Sequence, residues 1–241
     1  GSLAALVVPA LAGTVLAMVV CTVLGITIER LAYKPLRQAT SLAVLITAIG
    51  VSYFLQNAAL LMWSSSPKVF SPIVGSGLLQ VGPLAISHVT LVTIVACIVI
   101  MVCLTLFTGK TKMGKAMRAC SEDKGAAQLM GIDVNRTISM TFAIGSALAA
   151  IAGVLLCSAY PTLTPTTGSM PGIKAFTAAV FGGIGSIPGA LLGGLLLGII
   201  EIFASAYIST QLSTAVVFGV LIVVLLVKPA GLLGKTVREK V

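Results

Sequence analysis

Two Gly-Lys-Thr tripeptides, Gly109–Lys110–Thr111 and Gly234–Lys235–Thr236, come nearest to a phosphate-binding loop in this chain. A P-loop also needs an earlier glycine, so that its backbone N–H groups can wrap a phosphate. Leu104 and Pro229 stand at those positions, and neither tripeptide follows a strand. Nucleotide binding by that device is therefore excluded. Gly183 and Gly185 open a G-x-G pattern, but Ile187–Pro188 falls where the last glycine belongs and no βαβ unit surrounds it. His88 is the sole histidine and has no second ligand or carboxylate near it in sequence, so it reads as an interfacial residue, not a metal ligand or a catalytic base. Cys21, Cys97, Cys103, Cys120 and Cys157 form no CxxC pair and read as small packing residues. No catalytic residue, metal site or cofactor is expected. Glu201 stands apart as a carboxylate inside an apolar run, a functional candidate by default. It lies near the end of that run, so the headgroup region is also within its reach.

The elements around these residues belong to a membrane protein. The chain of 241 residues is 58% hydrophobic and only 9% charged, where a soluble domain carries about 25% charged residues. Its apolar stretches recur at about twenty residues, the length a helix needs to cross ~30 Å of hydrocarbon. They lack the ten-residue alternation of an outer-membrane barrel. The net charge of +9 suggests no nucleic-acid partner, because the positive-inside rule explains it. Thirteen of the fifteen Lys and Arg fall within 30–37, 110–136 and 228–240, so these segments are expected on the cytoplasmic side, the C-terminus included. The predicted class is all-α: a polytopic transmembrane helix bundle, residues 1–241 forming one transmembrane domain in contact with lipid.

Spans are predicted over about 3–28, 42–62, 86–108, 137–160, 190–207 and 212–227. The second carries Thr47, Ser52, Gln56 and Asn57. Polar groups at that depth are costly against lipid and should turn inward, either bonding a neighbouring helix or lining a polar path. The loop 63–85 is expected outside, anchored by Trp63, with Gly75, Ser76 and Gly77 turning a small hairpin between Ile73–Val74 and Leu78–Leu79. In the fourth span, Gly145, Ala149 and Gly153 make a small-residue face suited to close helix approach. The piece Ile173–Phe181 is only about half a span and ends in Gly182, Gly183 and Gly185. A short, glycine-interrupted segment points to a transport pathway, since unwound backbone is tolerated at depth only where protein or water satisfies it. A plain helix–turn–helix near one surface fits the same residues.

The polar island 109–136 holds six of the basic and three of the acidic residues. Ser121 is expected to cap a helix of about nine residues, with Glu122 and Asp123 in its first turn, where the helix dipole favours negative charge. Ala126, Ala127, Leu129 and Met130 give it an apolar side and Gly131 a left-handed closure. Asp133 is expected to cap the next helix. A short helix of this kind suits either docking into a groove of another protein or anchoring at the interface.

Four stretches carry a resemblance: ERLAYKPLR at 29–37, LITAIGVSYFLQN at 45–57, the GKAMRACSED…AAQLMGI island, and MPGIKAFTAAVFGGIGSIPGALLGGLLLGIIE at 170–201. Together they are similar to the inner-membrane permeases of bacterial branched-chain amino acid ABC transporters, specifically the first of that system's two permeases. The resemblance implies an importer subunit for leucine, isoleucine and valine in the bacterial inner membrane. Its implied partners are a second homologous permease, a periplasmic binding protein and two cytoplasmic ATPases that bind the ATP. In that family the island's helix enters a groove on the ATPase, which would make Ser121, Glu122, Asp123, Ala126, Ala127, Met130 and Gly131 coupling residues. Members of the family also carry about two further hydrophobic segments before the part matching residue 3 onward, so this sequence is expected to be shortened at its N-terminus. Composition alone leaves open an ABC permease for urea, amides or other amino acids, an ion-coupled carrier, and a membrane scaffold.

Overall fold

The computed structural model describes residues 3–37, 39–70, 78–81 and 84–234. Its helices are α1 (Leu3–Ile28), α2 (Ser41–Trp63), α3 (His88–Lys110), α4 (Lys112–Glu122), α5 (Lys124–Leu129), α6 (Val134–Ala159), α7 (Ser169–Gly182), α8 (Ile187–Tyr207) and α9 (Ser213–Val227). Five of them, α1, α2, α3, α6 and α8, are long and apolar enough to cross a membrane. At 1.5 Å per residue the fourteen residues of α7 reach about 21 Å and the fifteen of α9 about 22 Å, so two helices are short where one was expected. Large apolar side chains such as Leu16, Ile46, Phe54 and Phe203 are exposed along the long helices. In water that exposure would be costly; in hydrocarbon it is the favoured state.

The residues group into two compact units, one taking most of the chain up to Thr167 and the other taking 97–106 and the part from Gly168 onward. In the first, α1 lies along α6. The seam is closest at Gly25, where a Cβ would sit 1.9 Å from Ser146 Oγ. Beyond Ile28 the chain makes a π-helical turn, Glu29–Tyr33, closed by Lys34 N–H donating to Glu29 O at 2.8 Å. The Tyr33 ring packs on Phe142 of α6 at 5.1 Å between centroids. The face Gly145–Ala149–Gly153 stays exposed, so α1 packs beside it rather than on it.

Strands are few. β1 (Lys68–Val69) pairs antiparallel with β4 (Thr162–Leu163), tying the α2–α3 connection to the residues after α6. β2 (Leu78–Val81) pairs with β3 (Leu84–Ser87), in the register Leu79 to Ile86. Leu78–Leu79 therefore lies in the first strand of this hairpin; the expected turn Gly75–Gly77 and its partner Ile73–Val74 lie outside the described residues.

In the second unit, α7 and α8 form a tight helical hairpin. Ser186 caps α8, its Oγ accepting from Gly189 N–H at 3.2 Å, with Pro188 in the first turn. Glycines let the two backbones touch: a Cβ at Gly182 would lie 1.9 Å from Gly189 O, and one at Gly193 would lie 2.3 Å from Ala178 O. Ala178, Phe181, Leu197 and Val217 make the core, joined by Leu232 after α9. The N–H groups of Leu232 and Leu233 donate to the carbonyls of Phe181 and Gly182, at 3.0 and 2.9 Å, satisfying the end of α7.

Candidate functional site: the α4–α5–α6 loop

Thr111 ends α3 and caps α4, its Oγ1 accepting from Gly114 N–H at 3.0 Å. Gly114 is required there, since a Cβ would lie 2.4 Å from both Phe107 O and Thr108 Cα. Arg118 folds α4 back against the end of α3, its Nε donating to Thr108 O at 3.0 Å. This loop is therefore folded, not a free charged strand.

Asp123, not Ser121, caps α5. Its Oδ1 accepts from the N–H groups of Gly125 (2.7 Å) and Ala126 (3.1 Å). The expected cap at Ser121 fails because α4 continues to Glu122, and Ser121 Oγ donates back to Arg118 O at 2.7 Å. The short helix thus has six residues, not nine. Gly131 closes it at φ +79°: Ile132 N–H donates to Ala127 O at 3.1 Å and Gly131 N–H to Gln128 O at 3.0 Å, the double bond pattern of a Schellman motif. Asp133 then caps α6 through Arg136 N–H at 3.1 Å.

This scaffold divides the expected residues sharply. Ala127 is buried at 4% exposure, while Leu129 and Met130 project at 91% and 83%. Glu122, Asp123 and Ala126 are exposed beside them. An apolar tip flanked by acids is held on a rigid, doubly capped loop of mostly basic charge, an arrangement suited to insertion in an apolar groove. Leu129 belongs to that tip, and its place among apolar residues at the end of a short helix was the available signal.

Behind the loop lies a polar junction that local sequence patterns do not reveal. Glu29 is fully buried and pairs with Arg37. Ser139 Oγ donates to the other carboxylate oxygen at 2.7 Å, and Arg37 also donates to Asn135 Oδ1. Ser139 and Asn135 are in the first turns of α6. Two of the basic segments, 30–37 and 110–136, therefore meet at one end of the first unit.

The remaining candidates are scattered. On α2, Thr47 Oγ1 donates to Ala43 O at 2.8 Å, Gln56 Nε2 to Ser52 Oγ at 3.1 Å, and Asn57 Nδ2 to Tyr53 O at 2.8 Å. These bonds stay inside the helix, and Ser52 and Asn57 are exposed, so the expected bond to a neighbouring helix is not what satisfies them. Gly182 and Gly183 are buried by close backbone contacts, Gly183 against Gly234; Gly185 is exposed at φ +90°. Glu201 is ion-paired with Lys174 of α7, a partner visible in sequence only as the one charge in Ile173–Phe181. At the far ends of α2 and α6 a cavity of about 420 Å³ is lined by Trp63, Lys68, Leu163 and Thr164 among others. Among the described residues no cluster of three His, Cys, Asp or Glu could hold a metal.

The family of branched-chain amino acid transport system permease components matches residues 2–225. The chain belongs to this family. The permease is 45% identical over 235 residues to the high-affinity branched-chain amino acid transport system permease protein BraD of Pseudomonas aeruginosa, covering 96% of this chain and 76% of BraD. It is 48% identical over 235 residues to the corresponding protein LivH of Escherichia coli K12, covering 95% of this chain and 76% of LivH. No solved structure matches the permease. Family membership and the five long apolar helices agree on a multi-pass membrane protein.

Proposed function

We propose that the permease is a membrane-spanning subunit of an ATP-binding-cassette importer for leucine, isoleucine and valine in the bacterial inner membrane. In this reading the basic end and the C-terminus are cytoplasmic, as the charge distribution favours. Two ATPase subunits bind and hydrolyse ATP on that side, a second homologous permease completes the bundle, and a periplasmic binding protein delivers substrate opposite. The substrate class is carried over from the names of BraD and LivH.

The observation that carries the coupling half of this reading is the exposed Leu129–Met130 tip on a loop that is otherwise capped and hydrogen-bonded throughout. A groove on an ATPase would bury that tip, and closure of the ATPase pair would push α5 as a lever. Such a push shifts the bundle only if the contact differs in strength between its two states. Substrate passage is assigned to the polar residues of α2: Ser52 and Gln56, which share a face, Asn57 one position round from them, and Thr47. Polar groups on a spanning helix are costly toward lipid, and among the described residues the side-chain bonds of Thr47, Gln56 and Asn57 run within α2 itself. Glu201, held by Lys174, and the exposed Gly185 are the second unit's candidates for the path, while backbone packing accounts for Gly182 and Gly183.

Deleting the gene in its own cell and measuring uptake of labelled leucine, isoleucine and valine at submicromolar concentration tests the reading. Loss of all three, restored by the intact gene, is expected. Unchanged uptake of all three, with loss of another solute, would overturn the substrate assignment.

A further inference from the structure

Glu29, Arg37, Asn135 and Ser139 have no part in binding substrate or partner as described above, yet they gather around the one buried charged side chain among the described residues, Glu29, with Asn135 at the exposed edge of the group. Glu29 is fully buried, and the side chain of Arg37 is 19% exposed. The junction joins three elements. Glu29 sits in the π-helical turn that ends α1, Arg37 in the connection to α2, and Asn135 and Ser139 in the first turns of α6. π-helical turns are uncommon and frequently functional. Here the turn places Glu29 inward while its neighbour Arg30 stays exposed. Burying such a pair is a poor route to stability, because desolvation offsets the attraction; an apolar pair of similar volume often serves as well.

The position of the junction suggests another role. Between Met130, at the tip of α5, and Asn135 lie only Gly131, Ile132, Asp133 and Val134. That link is stiff: the Schellman bonds hold Gly131 and Ile132 to α5, and Asp133 caps α6. A displacement of α5 therefore arrives at Asn135 and Ser139 with little slack. We infer that the Glu29–Arg37 pair, bonded to Asn135 and Ser139, is a clamp that makes the α1–α2 turn move with α5 and the start of α6, and that these four are positioning residues for coupling. The inference rests on the proposed docking of α5 to an ATPase. Because the pair is charged, its bonds to Asn135 and Ser139 are strong and directional, whereas the neighbouring Gly25–Ser146 and Tyr33–Phe142 contacts are packing contacts.

The test uses the complete importer in proteoliposomes, with ligand-loaded binding protein outside and ATP at the ATPases, and reads substrate transported per ATP hydrolysed. Asn135→Ala with Ser139→Ala keeps the Glu29–Arg37 pair and cuts its two bonds to α6. The double variant is expected to assemble and hydrolyse ATP at a rate near wild type while its coupling ratio falls roughly tenfold or more, the scale of two lost charge-assisted hydrogen bonds. Ser139→Thr, which keeps the hydroxyl, should hold the ratio. A purely structural junction would lower assembly, hydrolysis and transport together and leave the ratio unchanged, which would overturn the clamp. As a second variant, Glu29→Met with Arg37→Met removes both charges; a wild-type ratio there would also overturn it. Deleting residues 124–130 separates the two readings: ATPase binding that survives this deletion would overturn the docking reading itself.

Discussion

Replacing Leu129 and Met130 together by serine should separate folding from docking. Both side chains are exposed, at 91% and 83%, so their loss removes almost no internal contact and should change the permease's own stability by no more than about 0.5 kcal/mol. In a groove each would contribute about 1.5–3 kcal/mol of burial, less roughly 0.5–1.5 kcal/mol for ordering the side chain. The pair then carries a net of about 2–3 kcal/mol, and its loss weakens ATPase binding roughly 30- to 100-fold at 1.4 kcal/mol per factor of ten. The assay is titration of the purified ATPase onto detergent-solubilised permease, with thermal melting of both forms alongside. An unchanged melt with weakened binding supports the lever. Binding within twofold of wild type, in a protein that melts normally, would refute the assignment of the tip.

Other substitutions test the packing. Gly25→Val should cost about 1–3 kcal/mol through overpacking, because a Cβ there meets Ser146 Oγ at 1.9 Å and Ser146 Cβ at 2.7 Å; adding Ser146→Gly should recover much of the melting temperature, and no recovery would contradict the seam. Gly193→Val should be worse, about 3 kcal/mol or more, since the atoms in its way, Ala178 O at 2.3 Å and Gly182 N at 2.8 Å, are backbone; a variant melting like wild type would contradict the α7–α8 hairpin. At the Lys174–Glu201 pair, one-third exposed on both sides, either single change to methionine should lower stability by about 1 kcal/mol. The double change should regain it, and singles that melt like the double would show that the pair is not formed.

The helices were legible because their physics is local. Twenty-residue apolar runs predict spans, and the observed bounds of α1 and α2 fall within one residue of the expected ones. Gly131 and Asp133 were readable for the same reason, one by its left-handed conformation and the other by its capping carboxylate. Ser121 and Asp123 are both good caps, and sequence does not say which wins. Backbone bonding shows which one prevails: Asp123 N–H still donates to Ala119 O at 3.1 Å, so α4 stays helical through Glu122 and the cap falls to Asp123. Least legible were the polar partners far apart in the chain: Ser139 lies 110 residues from Glu29 and Asn135 lies 98 from Arg37. No periodicity links them. A buried acid beside a basic run was the only hint. The same holds for Glu201, whose partner Lys174 is 27 residues away on another helix.

The central claim is that this chain works as the membrane part of an ATPase-driven assembly. The most direct measurement is affinity purification of the protein from its native membrane in mild detergent, followed by mass spectrometry of what accompanies it. The account predicts two P-loop ATPases and a second, related permease. A protein that emerges alone, or only with copies of itself, from membranes where it supports uptake would contradict it.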